Sequence, residues 1–363
     1  MDKTIERITG CIKNIEDKNF NVFFVVIDSK GTPTGSLAYI YETAKELKDL
    51  GYKVKMLHAE KEDFVGVASW LGEEYASLPH ANFNDVTVAV SPDDFIFIPE
   101  IYSNVMSATK NFPCKRVAIL QNFKYMTEVI PFGVSWDDLK IRDCITTSDS
   151  LKERLHKFFP EVSTKVVRPS IPEYFHESER PKKLIINLVS KSETELNNII
   201  KPFYWKHPEL SWVSLRPVGN VDRKEFADAL SDSIATVWCD TSTDFGRSAL
   251  EAMASGNIVI GKIPEHVPEW LKLEEGKENG LWFYDNEEAQ DAIAGVIQMF
   301  LTNTIPGELY ESMQETVKTY SPEFMVKDVK SVYEEIFEER KKELEIVLSV
   351  YKKKNNEEEN KTE

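Results

Sequence analysis

Apolar and polar positions along this chain alternate between two periods. Val22 to Ile27 (VFFVVI) is an unbroken run of β-branched and aromatic residues, the pattern of a strand buried on both faces of a parallel sheet. A turn-rich stretch, 28–35 (DSKGTPTG), follows it. Leu37, Ile40, Tyr41, Ala44, Leu47 and Leu50 then recur at helical spacing, Gly51 closes that helix, and Lys53 to His58 (KVKMLH) reads as the next strand. This order predicts a βαβ unit, whose crossover is right-handed in nearly all cases.

The alternation continues to the end of the chain. Strands are expected at 94–99, 116–120, 144–147 and 165–168, with Ser148 capping a helix over 151–158. A charged run with one proline (ESERPKK, 177–183) marks a boundary near 173–183. A second series starts at Leu184 to Val189 (LIINLV), with further strands at 212–215, 235–238 and 258–260 and helices at 193–203, 223–230 and 248–255. The expected architecture is α/β, with two consecutive Rossmann-like halves at 1–175 and 183–340. A long helical pattern, highly charged on its outer face, runs over 322–351. The charged, apolar-free stretch 352–363 reads as a disordered tail, and the first 20 residues as a polar leader.

Composition narrows the functional classes. With 363 residues, 42% hydrophobic and 29% charged, two proper cores can form. The 61 acidic residues outnumber the 44 basic ones, for a net charge of −17, which argues against broad binding to nucleic-acid phosphates. No apolar run approaches the length of a membrane span, and the charged N-terminus has no signal-peptide core. Cys11, Cys114, Cys144 and Cys239 are far apart and form no CxxC pair. A cytoplasmic protein is the expectation. The six histidines are scattered and there is neither HExxH nor an isolated DxD between strands, so no metal site is expected.

In open parallel sheets, ligands bind beyond the carboxyl ends of the strands. Three loops of unusual composition fall there. Gly31 to Gly35 lets backbone amides approach an anion. In Asp240 to Glu251 (DTSTDFGRSALE), Gly246 allows a tight turn, Ser248 caps a helix, Arg247 suits phosphate oxygens, and Glu251 falls where a carboxylate reaches ribose hydroxyls. Lys191, within Ser190-Lys191-Ser192, is either a solvated surface charge or a phosphate clamp, and its position in the crevice favours the clamp.

The segment Phe245 to Gly256 (FGRSALEAMASG) with Asn257 to Ile260 resembles the sugar-nucleotide motif of glycosyltransferase family four. Val22 to Gly51, Ile145 to Phe175, Pro264 to Trp270 and Asn279-Gly280 resemble further parts of that family in the same order. The resemblance spans about residues 20–340. It implies a GT-B fold, with two Rossmann-like domains facing across a cleft and the C-terminal helix crossing back onto the first. It also implies a nucleotide-sugar donor, UDP-sugar above all, with hexosyl or pentosyl transfer, retention at the anomeric carbon and no metal or other cofactor. Carried over, Glu251 holds the ribose, and Gly246 with the Phe245 to Ser248 turn meets the diphosphate. Lys191 lies near the usual clamp arginine, Gly35 belongs to the N-terminal glycine loop, and Arg216, Val218 and Gly219 lie against the base. Thr243 replaces the first motif glutamate, at the place of donor-sugar hydroxyls, and Gln121-Asn122 replace a histidine at the strand end.

If the chain is an enzyme, negative charge growing on the leaving phosphate is met by the amides of 246–248, Arg247 and Lys191, while Gln121 and Asn122 position hydroxyls. The acceptor is left open among a glycan intermediate, a lipid-linked sugar, a protein and a modified nucleobase, with a homo-oligomer also open. The rival readings are a non-catalytic GT-B-like binding or partner subunit and a sugar-nucleotide epimerase of the same fold. A two-carboxylate glycosidase does not suit Rossmann-like halves.

Overall fold

The computed structural model describes residues 3–26, 34–58, 70–83, 90–190, 192–219 and 221–359, with side chains described as far as Asn355. Strands β1 (Asn21–Val26), β2 (Lys53–His58), β3 (His80–Asn82), β4 (Phe95–Pro99), β5 (Lys115–Leu120), β6 (Asp143–Thr146) and β7 (Ser163–Val166) form one sheet in the order β3-β2-β1-β4-β5-β6-β7. A second sheet, from β8 (Lys183–Val189), β9 (Ser214–Pro217), β10 (Ser233–Trp238), β11 (Ile258–Lys262) and β12 (Leu281–Phe283), has the order β12-β11-β10-β8-β9. Every pairing is parallel. β1 explains its own apolar run: Val22, Phe24 and Val26 enter one core while Phe23 and Val25 enter another on the opposite face.

The C-terminal helix, Pro322–Glu359, returns to the first lobe. Its Met325, Val329, Tyr333 and Phe337 join the core of Phe20, Phe24 and Phe97, with Phe97 and Tyr333 rings 4.8 Å apart. Two local expectations are corrected. Residues 352–359 continue this helix instead of beginning a disordered tail, because Lys and Glu are good helix formers once a helix is nucleated. The polar leader is a helix, Lys3–Glu16, whose Ile5, Cys11 and Ile15 are buried and which packs along the C-terminal helix. Among the described residues no helix is long and apolar enough to cross a membrane.

Candidate functional site

Both sheets send the carboxyl ends of their central strands toward one cleft, and a single turn of the second lobe lies at its centre. β10 ends at Trp238, and the chain reaches the helix Arg247–Ala254 through Gly246. Gly246 has φ 74°, and a Cβ there would lie 2.8 Å from the Trp238 ring, so only glycine fits. Thr243 Oγ1 accepts from Gly246 N at 3.0 Å and fixes the turn. Among the described residues nothing accepts from the N–H groups of Arg247 and Ser248, nor pairs with the Ser248 hydroxyl. The positive end of the helix is therefore open to an anion.

Behind this turn lies a buried chain of alternating charges. Arg247 donates from Nη1 and Nη2 to the two carboxylate oxygens of Glu42, at 2.9 and 2.8 Å. Glu42 belongs to the first lobe, on the helix Gly35–Asp49, so the helix start faces the opposite lobe. Arg247 Nε also lies 3.2 Å from Glu251 Oε1, without the alignment of a hydrogen bond. Arg223 Nη2 donates to that same oxygen at 2.9 Å, and Arg223 Nε donates to Tyr174 Oη at 2.9 Å. Burial pulls the Arg223 pKa down, but the carboxylates of Glu251 and Glu42 outweigh it and leave it raised. The four charges sum to zero, which is what lets them stay buried.

A second set of bonds joins the lobes beside this chain. Asn122 Oδ1 caps the helix Phe123–Val129 by accepting from Tyr125 N, while Nδ2 donates to Ser242 O of the other lobe at 2.7 Å. Asp244 accepts from Phe123 N at 2.6 Å and from Arg154 Nη1 at 3.0 Å. Under Asn122 sits Glu100, whose Oε1 accepts from Asn122 N at 2.8 Å. Burial, with Asp244 adding to it, pushes the Glu100 pKa up to about 8. Glu269 accepts from Asp149 N at 2.8 Å and from Arg168 Nε at 3.1 Å.

The structure brings Thr243, Gly246, Arg247, Ser248, Glu251 and Asn122 together. Gln121 Nε2 donates to Ser36 O beside Gly35, at 3.2 Å. Val218 and Gly219 follow the carboxyl end of β9, and Val218 is buried. Two expected residues are elsewhere. Arg216 turns to the opposite end of its sheet, where Nε donates to Asn187 and Nη2 to Ala229 O and Asp232, the residue before β10. Phe245 buries its ring against Tyr320, and its carbonyl accepts from Trp270 Nε1. Lys191 lies outside the described residues. Glu251 and Arg247, read from the sequence as open to ribose and phosphate, have their charged groups engaged by Arg223 and Glu42. Sequence reasoning missed Glu42, Arg223, Asp244 and Glu100. Glu42 did carry a signal, a carboxylate inside the apolar stretch LAYIYETA. Trp136 is fully buried, stacked against Phe159. Among the described residues no three His, Cys, Asp or Glu side chains are grouped to hold a metal ion.

No family model matches the chain. It is 23% identical over 254 residues to an alpha-1,6-glucosyltransferase of Actinobacillus pleuropneumoniae serotype 7 (strain AP76), covering 67% of this chain and 72% of that protein. Solved structures align over nearly their whole length. The pneumococcal O-GlcNAc transferase GtfA, in complex with UDP and GlcNAc, matches with a TM-score of 0.64 at 10% identity, over 88% of this chain and 99% of that one. Anabaena Alr3699/HepE, in complex with UDP-glucose, matches with a TM-score of 0.62 at 12% identity, over 86% and 99%. S. aureus TarM matches with a TM-score of 0.65 at 10% identity, over 86% and 99%.

The chain has the GT-B fold. In GT-B terms, the turn at Gly246 belongs to the C-terminal lobe and Glu42, Glu100 and Asn122 to the N-terminal lobe. The long C-terminal helix is the segment that returns to the N-terminal lobe.

Proposed function

We propose that this chain is a glycosyltransferase that takes a sugar from a nucleotide diphosphate and delivers it to an acceptor hydroxyl. The segment Phe245 to Gly256 resembles the sugar-nucleotide motif of glycosyltransferase family four, and membership of that family is part of the proposal. A hexose carried by UDP is the favoured donor, since the curated relative is named for glucose transfer and one structural neighbour holds UDP-glucose. The cytoplasm is the favoured compartment, in keeping with four free cysteines.

The observation that carries this reading is the pair of N–H groups at Arg247 and Ser248 that have no partner among the described residues, at a helix start that faces the other lobe. In the reaction the bond from the anomeric carbon to the diphosphate breaks and a bond to the acceptor oxygen forms on the same face. The acceptor proton passes to the departing phosphate, and the configuration is retained. Charge grows on that phosphate, and amides held fixed at the helix start meet it without reorganising. The Ser248 hydroxyl and Lys191 add donors, and no metal is required. Arg247 contributes only when Glu42 releases it, so in the resting pairing the amides carry this role. Glu251 accepts from ribose with its remaining carboxylate lone pairs, Val218 and Gly219 border the base, Gly35 borders the sugar, and Thr243 keeps its O–H free to donate. Asn122 and Gln121 hold the two lobes and the glycine loop in register.

The test is incubation with UDP-glucose, UDP-galactose, UDP-N-acetylglucosamine, ADP-glucose and GDP-mannose, with and without EDTA. The expected result is release of UDP from one donor, undiminished by EDTA, with the anomeric configuration of the product kept by NMR. If no donor turns over and none shifts the melting temperature, the chain is a non-catalytic partner subunit.

A further inference from the structure

The carboxamides of the C-terminal lobe divide into two kinds. Asn187, Asn257 and Asn279 are fully buried, and each is hydrogen-bonded on both its oxygen and its nitrogen. That is the normal state of buried polar groups. Asn198 is exposed, Asn197 and Asn286 are half-buried and Gln290 is buried, and none of the four has a hydrogen-bond partner among the described residues. Gln290 is 5% exposed. The Asn286 Oδ1 atom is buried and unpaired.

All four line one groove of about 560 Å³ between the helices Glu193–Lys206 and Asn286–Thr302. None of them takes part in the cleft contacts described above. Trp205 forms the rim and is 77% exposed. Pro202 lies in the same wall, inside its helix, and has no N–H to give to the Asn198 carbonyl four residues earlier. A backbone acceptor is released there as well. The charged groups nearly cancel: Lys201 and Lys206 stand against Glu287, and Lys206 is already paired with Asp291 at 2.7 Å.

We propose that this groove is a second ligand site, separate from the cleft, which binds a short neutral oligosaccharide. Each carboxamide offers donors and an acceptor side by side, matching vicinal hydroxyls. The exposed Trp205 ring offers a flat apolar face to the C–H face of a pyranose, and indole is well suited to a contact that is apolar on one side and wet on the other. A purely apolar ligand would bury four carboxamides without partners, which is costly. With Lys206 paired to Asp291, Lys201 and Glu287 leave the lining close to neutral, which does not favour a strongly charged ligand. The volume falls in the range of small-molecule sites.

The test uses the full chain with isomaltotriose, maltotriose and chitotriose, read by saturation-transfer NMR and titration calorimetry. At least one trisaccharide is expected to bind. Trp205→Ala and Asn198→Ala are each expected to weaken that binding by about tenfold or more, equivalent to ~1.4 kcal/mol. Both are surface changes, so melting temperature and donor turnover stay unchanged. Glu251→Ala, in the cleft, is expected to leave the affinity unchanged. Binding of none of the three sugars, binding kept by Trp205→Ala, or binding lost in Glu251→Ala would each overturn the proposal. Donor turnover is measured separately, so failure of the groove and failure of the transferase reading are distinguishable.

Discussion

Arg247 and Glu42, 205 residues apart in sequence and on opposite lobes, form a two-pronged ion pair at 2.8 and 2.9 Å. Both side chains are less than a tenth exposed. Glu42 thereby places a carboxylate next to the helix start where the proposed reaction puts a diphosphate. With Glu251 and Arg223 the chain is neutral, and removing Glu42 leaves two arginines against one carboxylate. Glu42→Gln is therefore expected to destabilise the free protein, by about 3 kcal/mol, since one buried charge loses its partner. It is also expected to enlarge the thermal shift produced by UDP. Differential scanning fluorimetry with and without UDP measures both. A smaller UDP shift in the variant would mean that Glu42 is purely structural.

Asp244 holds the lobes at a second point, through Phe123 N and Arg154. Hydrogen bonds to a charged group contribute roughly 1.5–3 kcal/mol each side of the balance. Asp244→Ala is expected to lower unfolding free energy by about 2 kcal/mol in urea denaturation and to raise the radius of gyration in small-angle scattering. Unchanged scattering would assign Asp244 a local role only.

Glu100 sets a pH dependence. Its folded pKa is about 8 against an ordinary 4.5, so between those values the folded chain keeps a proton that the unfolded chain has lost. Stability therefore falls as pH rises through this window, with a slope of up to about 1.4 kcal/mol per pH unit from this group. Glu100→Gln is expected to flatten the profile between pH 6 and 8. Denaturation midpoints at pH 6, 7 and 8 check this, and parallel wild-type and variant curves would refute it.

Gly246→Ala tests the turn. At φ 74° an alanine is strained, and its Cβ would meet the Trp238 ring at 2.8 Å. A loss of about 2 kcal/mol in stability is expected, together with loss of the UDP thermal shift, because the amides lose their aim. Retention of the UDP shift would count against the turn as the phosphate contact.

Much of the fold was legible because strands buried on both faces write continuous apolar runs, as at Val22 to Val26 and Leu184 to Val189. The Gly246 turn was legible for a similar reason: a left-handed residue packed on an indole leaves one residue type possible. What stayed hidden depends on distant partners. The helix Lys3–Glu16 is buried only because the C-terminal helix returns to cover it. Arg216 and Arg223 look alike in sequence, yet the first serves β9 and β10 from the far end of the sheet while the second reaches Glu251. No local pattern distinguishes a guanidinium bound for a ligand from one bound for a carboxylate on the other lobe.

A crystal structure with UDP tests the central claim most directly. The account predicts diphosphate oxygens within hydrogen-bond distance of the Arg247 and Ser248 backbone nitrogens, with ribose hydroxyls on Glu251. UDP bound elsewhere, with that helix start still empty or filled by a protein side chain, would contradict it.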